Sequence, residues 1–239
     1  MKSIKFRADR DAYMCELRAW LAETAAVPLE EMSSFFAKRL GSYETHMSLW
    51  HEAYQKFASF LPADCTEILD LGCGTGLELQ SVFARFPTAH VTGIDMSAEM
   101  LAALSAKYDN KAVHTICGDY FETPFGEARF DAVISFQSLH HFTPEKKTAL
   151  FRRIAETLKP NGVFLNCDYF ACCDEEETLL FAECARRRAA ANIPDAEFVH
   201  FDTPLTVAHE SALLRKAGFS EVQPLESVNG AVFLRAEKK

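Results

Sequence analysis

Between residues 66 and 170, short apolar runs alternate with amphipathic stretches, and that alternation leaves few folds open. "TEILDL", "HVTGID", "AVHTIC", "FDAVISF" and "GVFLNCDYF" have the length and apolar character of buried strands. "GLELQSVFARF", "SAEMLAALSAKY" and "PEKKTALFRRIAETL", set among them, space their apolar residues three and four apart, as helices do. Strands apolar on both faces and separated by helices make a parallel sheet covered on both sides. Its crossovers are right-handed. The expected class is therefore α/β, a doubly wound Rossmann-like sheet.

The flanks add to this frame. "YMCELRAWLAET" and "LEEMSSFFAKRL" read as helices, with Pro28 suited to the first turn of the second and Gly41 ending it. "SYETHMSLWHEAYQKFASFL" reads as a third helix, with Ser42 at its N-cap and Thr45 in its first turn. Residues 1–60 are thus expected to be a helical segment, and 61–239 the sheet domain. After the alternating region come the helices "EEETLLFAECARRRAAAN" and "TVAHESALLRKAGF", the latter stopped by Gly218. Two strands follow, turned at Asn229-Gly230.

The formal charge of −9 argues against general nucleic-acid binding, because phosphate contacts need a basic surface. Basic residues cluster only briefly, as at Arg186–Arg188 and Lys238–Lys239. No apolar run is long enough to span a bilayer, and "MKSIKFRADRD" lacks the apolar centre of a leader peptide. The 8 cysteines are then expected to be free thiols in a reducing cytoplasm, with no structural metal, since their one tight pair, Cys172-Cys173, is not CxxC.

"ILDLGCGTGLEL" carries Gly72, Gly74 and Gly76 in a strand-to-helix turn. Such a turn aims backbone N–H groups and a helix N-terminus at one point beyond the carboxyl ends of the strands, where ligands bind. The spacing is GxGxG rather than GxGxxG, which speaks against a nicotinamide dinucleotide. The next strands end in Asp95, in Asp119 within "CGDYF", and in "SFQSLHHF", all at the same edge.

"ILDLGCGTG", "GIDMS", "GDYFETPF", "FDAVISFQSLHHF" and "LKPNGVFLNCDYF" resemble, in order, the motif set of the class I methyltransferases that use S-adenosylmethionine. The resemblance implies that family's sheet, mostly parallel with an antiparallel last strand, which the hairpin suits. It implies S-adenosylmethionine as cofactor and S-adenosylhomocysteine as product. By the same resemblance Asp70, Gly72, Cys73, Gly74 and Gly76 would line the amino-acid end of the cofactor. Asp95 would hold the ribose, Met96 would pack on the adenine, and Asp119 with Tyr120 would meet the adenine amino group. As plain structure, Asp95 and Asp119 would be N-caps or turn residues. Gln137 would line the cofactor.

Methyl transfer from a sulfonium is an in-line displacement, which positioning and desolvation can largely drive. His140 and His141 are candidate bases, with packing against the sheet as the competing role. After strand four the chain offers no acid, and Asp168 alone follows strand five, so a catalytic metal is not expected. The acceptor is expected to be a small molecule and the protein a monomer or homodimer, with no membrane partner. Two alternatives stay open. The chain end also looks like that of the carboxy-S-adenosylmethionine synthases, for which Arg186, Arg187 or Arg188 could hold the extra carboxylate. A non-catalytic binder on the same fold is the other. Finally, Tyr43, His46, Met47 and Trp50 lie three or four apart. Residues 1–60 would either pack on the sheet domain or fold over the cofactor, giving Tyr43, His46 and Trp50 to the acceptor pocket.

Overall fold

The computed structural model describes residues 9–238. The leader reading at residues 1–11 therefore lies mostly outside the described residues, as does Lys239 of the basic tail. Three helices come first: α1 (Arg10–Glu23), α2 (Met32–Met47) and α3 (His51–Phe57). Next come β1 (Glu67–Leu71), α4 (Leu79–Arg85), β2 (His90–Asp95), α5 (Ala98–Lys107), β3 (Val113–Cys117), β4 (Phe130–Phe136), α6 (Pro144–Thr157) and β5 (Leu158–Tyr169). α7 (Asp174–Ala190), α8 (Val207–Lys216), β6 (Glu221–Val228) and β7 (Ala231–Glu237) complete the chain.

The strands form one sheet in the order β3-β2-β1-β4-β5-β7-β6. β1 to β5 pair in parallel, and β7 runs antiparallel to both β5 and β6. The β6–β7 turn places Asn229 and Gly230 at φ 48° and 83°, the left-handed conformations a tight hairpin needs. Alternation along β5 sends Val163, Leu165 and Cys167 to one face and Phe164 to the other. The first face packs on α3, α4 and α5, and the second on α6 and α8. A smaller cluster joins Leu21 of α1 to Leu180 of α7 and to Phe201.

The N-terminal helices differ from expectation in two places. Pro28 lies outside any helix, in the connection between α1 and α2. The start is set at Met32 instead, because the Glu31 carboxylate accepts from Ser33 N and Ser34 N. The preceding backbone is already committed: Met32 N donates to Phe198 O, and His200 N donates to Glu30 O. Gly41 does not end α2, which runs through it to Met47. Its Cα faces open space, so the only cost is the glycine's own backbone entropy, about 1 kcal/mol, and that is too little to stop a helix. Ser42 is accordingly no N-cap; its hydroxyl donates back to Arg39 O. A 3₁₀ turn, Ser48–Trp50, separates α2 from α3.

Candidate active site

The carboxyl edge of the sheet is where the sequence motifs converge. The glycines of the first turn take φ values of +71° (Gly72), +49° (Gly74) and +69° (Gly76), which disfavour any side chain. Their neighbours differ. A Cβ at Gly72 would lie 2.1 Å from Ser138 Oγ, and one at Gly74 would lie 3.3 Å from the Tyr43 hydroxyl. A Cβ at Gly76 would press on Leu79, Leu104 and Tyr108, so this glycine serves packing inside the domain. The Cys73 side chain also points inward, because a Cβ at Gly93 would lie 2.8 Å from its sulfur.

Asp95 is tied to this turn. Its Oδ2 accepts from Gly74 N at 2.9 Å and its Oδ1 from Ser97 N at 2.8 Å. Burial raises its pKa against the pull of those N–H groups. Asp70 is fully buried, and neither of its oxygens has a hydrogen-bond partner of normal geometry. Burial and the nearby Glu78 carboxyl push its pKa well above the usual carboxylate range, and the two acids sit close enough to share a proton.

A cavity of about 60 Å³ lies at this edge, lined by Gly72, Gly74, Asp95, Met96, Tyr120 and Gln137 among others. Met32, Ser33, Phe36 and Tyr43 of α2 close it from above. Asp119 is not on its wall; its Oδ1 accepts from Phe121 N at 2.8 Å and holds the turn after β3. Tyr120 is 3.1 Å from Ser138 through their hydroxyls. Gln137 sits at φ 51°, an uncommon conformation for a residue with a side chain, and its buried Nε2 has no partner.

A second cavity, about 490 Å³, adjoins the first. Tyr43, His46, Met47 and Trp50 all line it, although the helix breaks before Trp50. Phe36, Tyr43, Gln137 and His141 belong to both cavities. Phe35 stacks on His200 with ring centroids 3.4 Å apart, and the Arg39 guanidinium covers Phe35 at 3.6 Å.

Where the cavities meet, the two histidines have opposite electrostatics. His140 Nδ1 lies 2.5 Å from Asp168 Oδ1, and its Nε2 is 3.5 Å from Asp202. Burial works against its charge, but the two carboxylates outweigh burial and raise its pKa to about 9. Burial, the charged His140 and His200 hold His141 well below the ordinary histidine value, so it is neutral. Its Nδ1 is 3.2 Å from Phe201 O, which requires the proton on that nitrogen and leaves the lone pair on Nε2. Burial likewise lowers His200 to about 4. His140, His141 and Asp202 bring ligand atoms within 4.8 Å of one another, a spacing a metal ion could use. The proton that Phe201 fixes on His141 Nδ1 leaves Nε2 as the lone-pair nitrogen of that ring.

Asp202 and His200 fall in "FVHFD", a stretch with no periodicity, and sequence reasoning passes over them as loop. They reach the site because Glu31 bridges Val199. Arg186 pairs with Glu183 on the surface. Arg187 lines the larger cavity, bound to Glu183 and Thr24, and Arg188 holds Pro194 O and Glu197 O. None of the three lines the smaller cavity.

All eight cysteines are unpaired. No described helix is long and apolar enough to cross a membrane.

Known proteins share this organisation. Residues 68–162 match the family model of a methyltransferase domain. The O-methyltransferase cnsE of Penicillium expansum is 29% identical over 215 residues, covering 81% of this chain and 71% of that protein. The malonyl-[acyl-carrier protein] O-methyltransferase of Priestia megaterium is 29% identical over 130 residues, covering 54% of this chain and 46% of that one. The cypemycin N-terminal methyltransferase of a Streptomyces species is 37% identical over 114 residues, covering 46% and 45%. The chain thus spans less than half the length of the latter two. Human N-acetylserotonin methyltransferase in complex with S-adenosylmethionine superposes with a TM-score of 0.64 at 20% identity, covering 99% of this chain and 70% of that one. The methyltransferase SibL superposes at 0.60, also with 20% identity, covering 91% and 61%. The motif order, the sheet order and these likenesses agree: residues 68–162 are a methyltransferase domain, carried on the fold of the class I S-adenosylmethionine-dependent methyltransferases.

Proposed function

We propose that this protein methylates a hydroxyl of a small molecule, with S-adenosylmethionine in the smaller cavity, the acceptor in the larger one and no metal. The relative named O-methyltransferase cnsE, which aligns with most of this chain, supports an oxygen acceptor. The residues suit the cofactor. Asp70 is a buried carboxyl with no hydrogen bond of normal geometry and a second acid, Glu78, beside it, a pairing that an ammonium would satisfy directly or through water. Gly72 and Gly74 keep the turn bare, and Asp95 has lone pairs left for a ribose beside Met96. The cofactor would supply a methyl group already activated on a sulfonium, open to in-line displacement.

The chain's own part is positioning and proton handling. The observation that carries the reading is His141: neutral, its tautomer fixed by Phe201, and standing on the wall common to both cavities. Its Nε2 takes the proton that the acceptor hydroxyl loses. His140 is already protonated between Asp168 and Asp202, so it positions His141 and is not the base. The helical segment before β1, through α2, acts as a lid. A space of about 60 Å³ is far below the roughly 300 Å³ of a small ligand site, so α2 moves outward to admit the cofactor. Glu44 holds the lid down through Thr75 Oγ1 at 3.1 Å and Lys107 Nζ at 3.2 Å. The absence of any of the three arginines from the smaller cavity weighs against a carboxylated cofactor.

The test uses S-adenosylmethionine labelled at the methyl group and a panel of hydroxyl-bearing aromatics. Transfer should yield base-stable ethers. His141→Ala should lower turnover by about 10²–10⁴-fold while leaving S-adenosylhomocysteine affinity within twofold. S-adenosylhomocysteine binding without transfer to any acceptor would favour the non-catalytic binder. Full turnover in His141→Ala would remove the base.

A further inference from the structure

Resting on the methyltransferase reading, we infer that the acceptor is an uncharged, flat aromatic alcohol, and that a carboxylate or an amine is excluded by the way the larger cavity neutralises its own charges.

The walls set the shape. Trp20, Phe35, Phe36, Trp50 and Phe201 place aromatic rings around a space of about 490 Å³, and Val27 and Leu29 add aliphatic surface. Planar acceptors gain most from such walls, because offset and edge contacts between rings add to area burial.

The charged groups set the chemistry. Two arginines reach this cavity, and neither is free for a carboxylate. Arg39 donates to Glu30 at 2.7 Å and to Phe35 O at 2.9 Å, and its guanidinium face lies on the Phe35 ring. Arg187 donates to Glu183 at 2.7 Å and to Thr24 Oγ1 at 3.0 Å, and lies over Phe201. At the end near the smaller cavity stand Asp168, His140, Asp202, His141 and His200. Two carboxylates there face one imidazolium, while His141 and His200 are neutral, which leaves a net negative charge around the place where the acceptor reacts. An acceptor carboxylate would enter that field with no unpaired cation to meet it. An ammonium would suit the field but would have no lone pair for the methyl group, and shedding its proton first would forfeit the attraction. A neutral phenol carries neither burden. Its hydroxyl can donate to the lone pair of His141 Nε2, and its ring needs only the apolar wall.

This separates the protein from relatives whose names specify acid acceptors. The malonyl-[acyl-carrier protein] and fatty-acid O-methyltransferases each align with only part of this chain, 54% and 68% respectively. Most residues that line the larger cavity fall in 20–50 and 200–202, outside the matched methyltransferase domain at 68–162, which contributes Gln137, His140 and His141.

The experiment measures binding in the presence of saturating S-adenosylhomocysteine at pH 7.5, by calorimetry, with 2-naphthol, 2-naphthoate and 2-naphthylmethylamine as probes. The wild-type protein should bind 2-naphthol at least tenfold more tightly than either charged probe. Asp202→Asn, which removes one negative charge at the mouth of the reaction site, should narrow the naphthol-to-naphthoate ratio at least threefold. Should that variant fail to fold, the wild-type panel alone decides. Naphthoate binding as tightly as naphthol, an unchanged ratio in folded Asp202→Asn, or no binding of the naphthol would each overturn the inference. S-adenosylhomocysteine binding is titrated first and separately. Its absence would sink the methyltransferase reading, whereas its presence with naphthoate preferred would sink only the acceptor class.

Discussion

Replacing Asp70 by asparagine is expected to make the ligand-free protein more stable and its hold on the cofactor weaker. Asp70 is fully buried on β1, neither oxygen has a hydrogen bond of normal geometry, and Glu78 is an acid beside it. A buried polar group without a partner costs about 1–3 kcal/mol, and two neighbouring acids add repulsion whenever both ionise. Asparagine has nearly the same shape, carries no charge, and can donate its amide N–H to Glu78. A gain of about 1–2 kcal/mol follows, which for a chain of this size is roughly 2–8 °C in the melting midpoint. The same change removes a charge-assisted hydrogen bond to the cofactor's ammonium, worth about 1.5–3 kcal/mol, or roughly tenfold to a hundredfold in affinity. Thermal denaturation with and without S-adenosylhomocysteine reads both effects at once. The free variant should melt higher than wild type, and the ligand should raise its midpoint less. A variant that melts lower and binds S-adenosylhomocysteine normally would refute the reasoning and make Asp70 a structural anchor.

Gly72→Ala, at φ +71° with its Cβ 2.1 Å from Ser138 Oγ, should cost about 1–3 kcal/mol and abolish measurable S-adenosylhomocysteine binding. Gly41→Ala, mid-helix and facing open space, should instead stabilise by about 0.5–1 kcal/mol in denaturant titrations. Stability should peak near pH 6.5. The contribution of His140, with a pKa raised to about 9, is complete below 6.5 and lost as pH rises toward 9; that of His200, lowered to about 4, and of His141 is complete above 6.5 and lost as pH falls. His140→Gln should flatten the alkaline limb of a plot of melting midpoint against pH, and an unchanged limb would show that His140 is not the group responsible. Adding S-adenosylhomocysteine should slow hydrogen exchange across residues 28–60 as well as at the glycine turn; protection confined to the turn would leave α2 as fixed scaffold.

The fold, and the gathering of several candidate residues at one sheet edge, are legible in the amino-acid order for one physical reason. A parallel sheet puts the end of every strand at one edge, so Asp70, Gly72, Asp95, Met96, Tyr120 and Gln137 can be placed together once the strands are recognised. Asp119 sits at the right strand end, yet its Oδ1 is taken up by the turn it begins. Strand ends say nothing about groups delivered by loops. Asp202 and His200 arrive through a backbone bridge between residues 31 and 199, which no local pattern announces. The histidine pair is visible in "SLHHF", but adjacent identical residues give no clue to which one is charged. That depends on Asp168 lying beside His140 and on Phe201 O lying beside His141. Gly41 misleads because a glycine with nothing near it neither breaks a helix nor reports a close approach.

Phe36, Tyr43, Gln137 and His141 form a party wall between the two cavities. On the proposed reading, a ligand seated in either cavity presses on a wall that the other ligand also touches, so cofactor and acceptor should influence each other's binding. Thermodynamic linkage then makes the two coupling factors equal, whichever ligand is added first.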